Sequence, residues 1–142
     1  MMARGFLITI ILTSCAHESL LNKAELAFEE NNYAEAVLLY DKHREERQNT
    51  KDRPSWENPS FYHLVVVESL LKLNKPEEAE ARILLGIKEG VDNALIVDKL
   101  RLIAEWYVKN KDLTTAIDFL DKYHHLDEEY IDGIIDGLSK GE

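Results

Sequence analysis

The spacing of apolar residues predicts helices along most of the chain. From His17 onward, apolar side chains recur every three or four residues, and no segment alternates between apolar and polar residues as a half-buried strand does. The periodic segments predict seven helices, over 17–30, 33–47, 59–73, 76–88, 94–109, 113–124 and 128–138. The sequence therefore predicts an all-α fold for residues 17–142.

Residues with strong capping preferences separate these helices. Asn58 followed by Pro59 predicts the N-cap and the first residue of the third helix. Gly90 predicts the end of the fourth helix, because glycine readily adopts the left-handed conformation that terminates helices. Asp112 and Asp127 predict the N-caps of the last two helices, since their carboxylates can accept hydrogen bonds from free backbone N–H groups.

A small residue followed four positions later by a large apolar residue recurs in three of the helices. The pairs are Ala36/Tyr40, Ala79/Ile83 and Ala116/Leu120. The alanine lets a neighbouring helix approach closely, and the large residue fills the space one turn later. This pattern resembles the tetratricopeptide repeat, in which stacked helix pairs form a concave face lined by their first helices. The resemblance implies about three antiparallel helix pairs and a polar C-terminal capping helix. The alternative is an unrelated helical bundle with a chance alanine pattern.

The first 15 residues differ from the rest because they are apolar on every side. The apolar run over 6–12 is shorter than the roughly 20 residues that a membrane span needs. It leads to the sequence LTSC at residues 12–15, which resembles the lipobox of bacterial lipoproteins. The resemblance implies that residues 1–14 are a cleaved signal peptide and that residues 15–16 form a lipidated N-terminus, with the lipid on Cys15. The alternative is an N-terminal core helix with a buried cysteine.

The same resemblance implies a location in the bacterial cell envelope. In the enterobacterial pattern, an aspartate after the lipidated cysteine retains the protein in the inner membrane, but Ala16 stands here. The resemblance therefore implies a lipid anchor in the outer membrane and a domain that faces the periplasm. Two or three acyl chains would anchor the chain stably, because each buried CH₂ contributes about 0.8 kcal/mol.

Composition and motifs exclude several classes of function. The net charge of −10 argues against binding nucleic acid, and the single cysteine excludes an internal disulfide. No metal-ligand motif, nucleophile motif or phosphate-binding loop accompanies the five histidines. Adjacent His124 and His125 would diverge by about 100° on a helix, whereas His63 is predicted to be a hydrogen-bonded core residue. The sequence therefore predicts a protein that is not an enzyme and has no metal, cofactor or small-molecule substrate.

The tetratricopeptide resemblance implies a groove that binds a protein partner. Transferring the groove positions of the family to this chain gives Leu21, Glu25, Phe28, Phe61, Leu64, Glu68, Leu71, Asp98, Arg101, Glu105 and Val108. Glu25, Glu68 and Glu105 are at equivalent positions of the three repeats, which predicts an acidic line flanked by apolar residues. Complementary charge predicts a partner segment with basic residues beside apolar anchors. The alternative is that these acids only keep the surface soluble.

Two functions fit these observations. The first is a lipid-anchored interaction module, an adaptor or scaffold that assists the assembly of a secretion, pilus or outer-membrane complex. The second is a small structural subunit whose groove another chain fills permanently. Trp56, in the long loop over 48–58, either plugs the first helix pair or faces a partner.

Overall fold

The computed structural model describes residues 19–141, and in this range the chain forms helices and no strands. The α-helices are α1 (Leu20–Glu29), α2 (Tyr33–Gln48), α3 (Phe61–Lys72), α4 (Pro76–Lys88), α5 (Asn93–Asn110), α6 (Leu113–Asp121) and α7 (Glu128–Lys140). A short 3₁₀ helix over His124–Leu126 precedes α7. The predicted all-α fold is confirmed. The predicted signal peptide and the lipidation of Cys15 fall outside the described residues.

Three of the predicted helix ends are confirmed by their capping geometry. Oδ1 of Asp112 accepts a hydrogen bond from the backbone N–H of Thr115 at 2.7 Å. Oδ1 of Asp127 accepts one from the backbone N–H of Tyr130 at 3.1 Å. Gly90 follows α4 with a φ of 79°, a left-handed conformation that glycine adopts without a steric penalty.

The predicted start of the third helix is wrong by two residues. α3 begins at Phe61, and Ser60 is its N-cap. Oδ1 of Asn58 accepts a hydrogen bond from the backbone N–H of Ser60 at 3.0 Å, and the carbonyl of Asn58 accepts one from Phe61 at 3.0 Å. These bonds form a turn around Pro59 before the helix begins, because the asparagine side chain offers the backbone a local alternative to the helix.

The predicted end of the sixth helix is wrong by three residues. α6 ends at Asp121 rather than at residue 124. Tyr123, two residues later, is buried, and its hydroxyl donates a hydrogen bond to Oε1 of Glu80 at 2.6 Å. This contact with α4 turns the chain inward, and the 3₁₀ helix then leads to α7.

The helices pack as consecutive antiparallel pairs. Connections of two or three residues join α1 to α2, α3 to α4 and α5 to α6, and such short connections place neighbouring helices antiparallel. Further contacts join α2 to α3, α4 to α5 and α3 to α5. α3 and α5 are the first helices of their pairs, and they lie side by side in a row. α7 contacts both α5 and α6, so it extends this row. The helix predicted to be a polar cap therefore adds a further first helix to the row.

The predicted small and large residues form part of the core. Ala36, Ala79 and Ala116 are each 0% exposed, and their large partners Tyr40, Ile83 and Leu120 are also buried. The core is continuous from α1 to α7. The predicted close contacts between helices at the three alanines are consistent with this complete burial, because a larger side chain at these positions would have no free space.

The starts of α3, α5 and α7 lie along one edge of the helix row, which we call the N-terminal edge. The hydroxyl of Ser60, just before α3, donates a hydrogen bond to the carboxylate of Glu89, just after α4. Nδ2 of Asn93, at the start of α5, lies 3.4 Å from the carbonyl oxygen of Leu126, just before α7. α2 ends at this edge, where Arg47 pairs with Glu57 just before α3. α1 therefore begins on the same side, because it is antiparallel to α2.

Candidate functional site

A groove of about 360 Å³ separates α3 from α5, and we call it the α3–α5 groove. Its apolar side chains are partly or fully buried, whereas its charged side chains are exposed. The first helices position both kinds of residue, because each presents one face to the groove. The lining residues are Glu68, Leu71, Lys72, Asn74, Leu102, Glu105, Trp106, Lys109 and Asn110.

A second groove, of about 600 Å³, separates α5 from α7, and we call it the α5–α7 groove. It is lined by Arg101, Glu105, Asp127, Glu129, Tyr130, Gly133, Ile134, Gly137 and Leu138. Glu105 lines both grooves, so they adjoin each other across α5. A Cβ atom at Gly133 or Gly137 would meet no atom within 4 Å, so the α7 wall of the groove is open.

Four of the predicted groove residues line these two grooves. They are Glu68, Leu71, Arg101 and Glu105. The prediction for Leu64 is wrong, because this side chain is 0% exposed and belongs to the core. α3 packs against α2, α4 and α5, and seven of its 12 residues are buried, compared with five of the 18 residues of α5, so α3 leaves less of its surface for a partner.

The remaining predicted residues line neither groove. Leu21 and Phe28 are partly buried and pack against the core. The centroid of the Phe28 ring lies 5.5 Å from that of the Tyr33 ring. Val108 is on the exposed surface, 36% exposed. Asp98 is engaged within α5, where its Oδ1 lies 3.1 Å from Nη2 of Arg101. Phe61 lies at the N-terminal edge, beside Trp56.

Glu25 and Glu68 both raise the pKa of the same buried tyrosine. Burial raises the pKa of the Tyr40 hydroxyl, and the nearby carboxylates of Glu25 and Glu68 raise this pKa further. Glu105 faces Glu68 across the α3–α5 groove. The structure therefore brings the carboxylates of α1, α3 and α5 to neighbouring places.

Basic residues offset part of this acidic charge. Nη1 of Arg101 lies 2.6 Å from Oε1 of Glu105, and the hydrogen bond holds the pKa of Arg101 above its ordinary value. Lys72 and Lys109 also line the α3–α5 groove. The groove is therefore of mixed charge, and the uniform acidic line suggested by the three glutamates alone is interrupted.

Most of the α5–α7 groove lies outside the positions that the sequence predicts. The sequence predicts a polar cap for α7, whereas Ile131 and Ile134 are buried and Tyr130 is 47% exposed beside the groove. The signal was present, because Tyr130, Ile134 and Leu138 follow the four-residue spacing of one helix face. Two glycines and several acids weaken this signal, because they make α7 appear polar throughout.

A polar cluster around His63 links α2, α3 and α4. His63 is 3% exposed, so its predicted burial is confirmed. Its Nε2 lies 3.4 Å from Oε2 of Glu89, and its Nδ1 lies 3.5 Å from Nη1 of Arg82, which in turn pairs with Asp41. Burial lowers the pKa of His63, and the positive charge of Arg44 lowers it further.

Replacing His63 with glutamine should make stability less dependent on pH. The unfolded chain protonates this imidazole near its ordinary pKa of about 6.5, whereas the folded chain does so only at lower pH. Stability is therefore lost as the pH falls below about 6.5, because the unfolded state then binds more protons. We expect the difference in unfolding free energy between about pH 7.5 and pH 5.5, measured by urea denaturation, to shrink in the variant.

His124 supplies a control of opposite sign. Its Nε2 lies 2.8 Å from Oδ1 of Asp132, and this hydrogen bond raises the pKa of His124. His124 therefore favours the folded state as the pH falls, so His124→Gln should steepen the loss of stability. An unchanged pH dependence in His63→Gln would contradict the proposed contribution of His63.

Neither metal clusters nor candidate membrane spans occur within residues 19–141. No group of three or more His, Cys, Asp or Glu side chains in this range is arranged to hold a metal ion. None of its helices combines the length and apolar character needed to cross a membrane.

Comparison with known proteins adds no relative to this geometry. No protein-family model, no characterised protein and no solved structure matches the chain significantly.

Proposed function

We propose that this chain is a lipid-anchored protein-interaction module of the bacterial cell envelope. It acts as an adaptor rather than as an enzyme, and it binds a protein segment in the α3–α5 and α5–α7 grooves. The tetratricopeptide-like arrangement of helix pairs and the lipobox-like LTSC sequence support this proposal. The anchor would hold the domain at the outer membrane, on its periplasmic side.

The observation that carries the proposal is the pair of adjoining grooves along the first helices. Leu71, Leu102 and Trp106 offer apolar contact in the first groove, and Tyr130 and Ile134 offer it in the second. Charged side chains stand beside these residues. Buried apolar contacts surrounded by polar groups are typical of protein interfaces, in which the apolar part supplies affinity and the charges guide association.

Site-directed photo-crosslinking in the native host tests whether the grooves bind a protein. A photoreactive amino acid in place of Lys72 should give a discrete crosslinked product, because Lys72 lines the α3–α5 groove. The same amino acid in place of Leu38 is the control, since Leu38 is 70% exposed on the second helix α2. Equal crosslinking at both positions, or none at Lys72, would contradict the proposed binding surface.

Charge removal tests the chemistry of the partner once crosslinking has identified it. Glu68→Gln combined with Glu105→Gln should lower the association rate constant by up to about tenfold at low salt, because acidic side chains would steer a basic segment. The control is Glu46→Gln, an exposed acid on α2. Association rate constants that change with neither the salt concentration nor the groove substitutions would mean that the partner segment is not basic.

A further inference from the structure

Trp56 is the most exposed large apolar side chain among the described residues. It is 83% exposed, and Phe61 and Leu95 beside it are 36% and 44% exposed. Together with Tyr62 and Val91 these residues border a largely apolar recess of about 550 Å³. We call Trp56, Phe61 and Leu95 the Trp56 patch. Such clustered exposure in an otherwise well-packed domain indicates a surface that a lipid bilayer or another molecule covers.

The loop that carries Trp56 is held in place at its base. The backbone N–H of Glu57 donates to the carbonyl of Pro54 at 3.0 Å, which closes a turn with Trp56 at its tip. The carboxylate of Glu57 forms a bidentate pair with the guanidinium of Arg47 at the end of α2, and the Nε–Oε1 distance is 2.7 Å. The fold therefore displays the indole outward, and the pairing with Arg47 neutralises Glu57, one of the two acids that border the recess, the other being Asp92.

The Trp56 patch lies on the N-terminal edge, the edge toward which α1 begins. Ser19, the N-cap of α1, is four residues beyond Cys15, which an extended chain spans in at most about 14 Å. α1 has 10 residues and α2 has 16, so α2 is longer than its antiparallel partner by about 9 Å. The end of α2 and the loop after it therefore extend beyond the start of α1, the helix whose N-cap follows Cys15 by four residues.

We propose that the Trp56 patch inserts into the interfacial region of the bilayer that holds the lipid anchor. The inference rests on the proposed function, because the acylated Cys15 supplies the first point of contact. A tryptophan ring has an apolar body and a polar N–H, which suits the boundary between acyl chains and headgroups. Lys51, exposed in the same loop, is available to lipid phosphates. The lipid on Cys15 and the Trp56 patch would together fix the orientation of the domain on the bilayer. Both grooves would then remain accessible from the side of the domain.

Tryptophan fluorescence of the lipidated full-length protein tests the second contact. The chain contains two tryptophans, so Trp106→Phe leaves Trp56 as the only one, and Trp56→Phe leaves Trp106 as the matched control. Each variant is reconstituted into phosphatidylcholine vesicles with and without lipids brominated on the acyl chains. Trp56 emission should shift to shorter wavelength and lose about half or more of its intensity to the brominated lipids, whereas Trp106 should change little.

The possible outcomes separate this inference from the anchor itself. Protein that floats with the vesicles while the Trp56 emission stays unshifted and unquenched would overturn the inference and leave the anchor intact. Protein without lipid on Cys15, as measured by mass spectrometry, that fails to float would overturn both. Trp56 emission that is unchanged by lipid and changes only when the crosslinked protein partner is added would assign the patch to protein docking and overturn the inference.

Discussion

Replacing Cys15 with alanine should abolish lipid anchoring and leave a precursor that keeps residues 1–14. The reason is chemical, because the thiol is the proposed attachment point of the diacylglycerol and alanine offers no nucleophile there. Without acyl chains the protein loses the apolar surface that holds it to the bilayer, at about 0.8 kcal/mol for each buried CH₂. Fractionation and mass spectrometry of the N-terminus measure the loss, and the native protein should begin at a lipid-modified Cys15.

Ala16→Asp is a matched control for this experiment. It preserves Cys15, so the variant should still be lipidated and cleaved. In a host with enterobacterial sorting the aspartate should shift the protein from the outer to the inner membrane. Unmodified protein that begins at Met1 or Met2 in the cytosol would reject the lipoprotein interpretation and would favour the core-helix alternative for residues 6–12.

Replacing Ala79 with glutamate should destabilise the fold by several kcal/mol. Ala79 is 0% exposed, so the larger side chain has no free space, and overpacking alone typically costs about 1–3 kcal/mol. The carboxylate would also be buried without a partner, which adds a further penalty. Ala36→Glu on α2 should behave alike, because Ala36 is also 0% exposed. Urea denaturation followed by circular dichroism measures the loss of unfolding free energy.

Exposed alanines on the same helices provide the controls. Ala81 on α4 and Ala34 on α2 each lie two positions from the buried alanine, and both are exposed. Ala81→Glu and Ala34→Glu introduce the same side chain into the same helices but should change the unfolding free energy by only about 0.5 kcal/mol or less. Buried and exposed variants that unfold at the same urea concentration would contradict the close helix contacts.

The helices and much of the core were predictable because their signals are local. Helical periodicity depends on residues three or four apart, and a capping carboxylate acts on an N–H two or three residues away. The three alanines were recognisable for the same reason, since each belongs to a repeated pattern within one helix. Asn58 is the instructive exception, because its side chain favours a turn that competes with the helix start.

The surface was less predictable, because exposure depends on neighbours that are distant in sequence. Leu64 fits a groove position by register, but α3 packs against three other helices and covers it. The α7 face of the second groove and the exposure of Trp56 likewise follow from packing and from the loop turn. Register within one helix identifies a face, whereas the arrangement of the other helices decides whether that face is covered.

The neighbour-to-neighbour packing of the helices has a consequence for folding. The main contacts join helices that are one or two elements apart in the chain, and α1 and α7 have no such contact with each other. Contacts of short sequence separation need little loop closure, which favours folding in microseconds to milliseconds. Local unfolding can then begin at either end of the helix row without disturbing the helices at the other end. Amide hydrogens in α3 and α5, which pack against more α-helices than any other described helix does, should exchange with solvent most slowly, and those of the terminal helices α1 and α7 fastest.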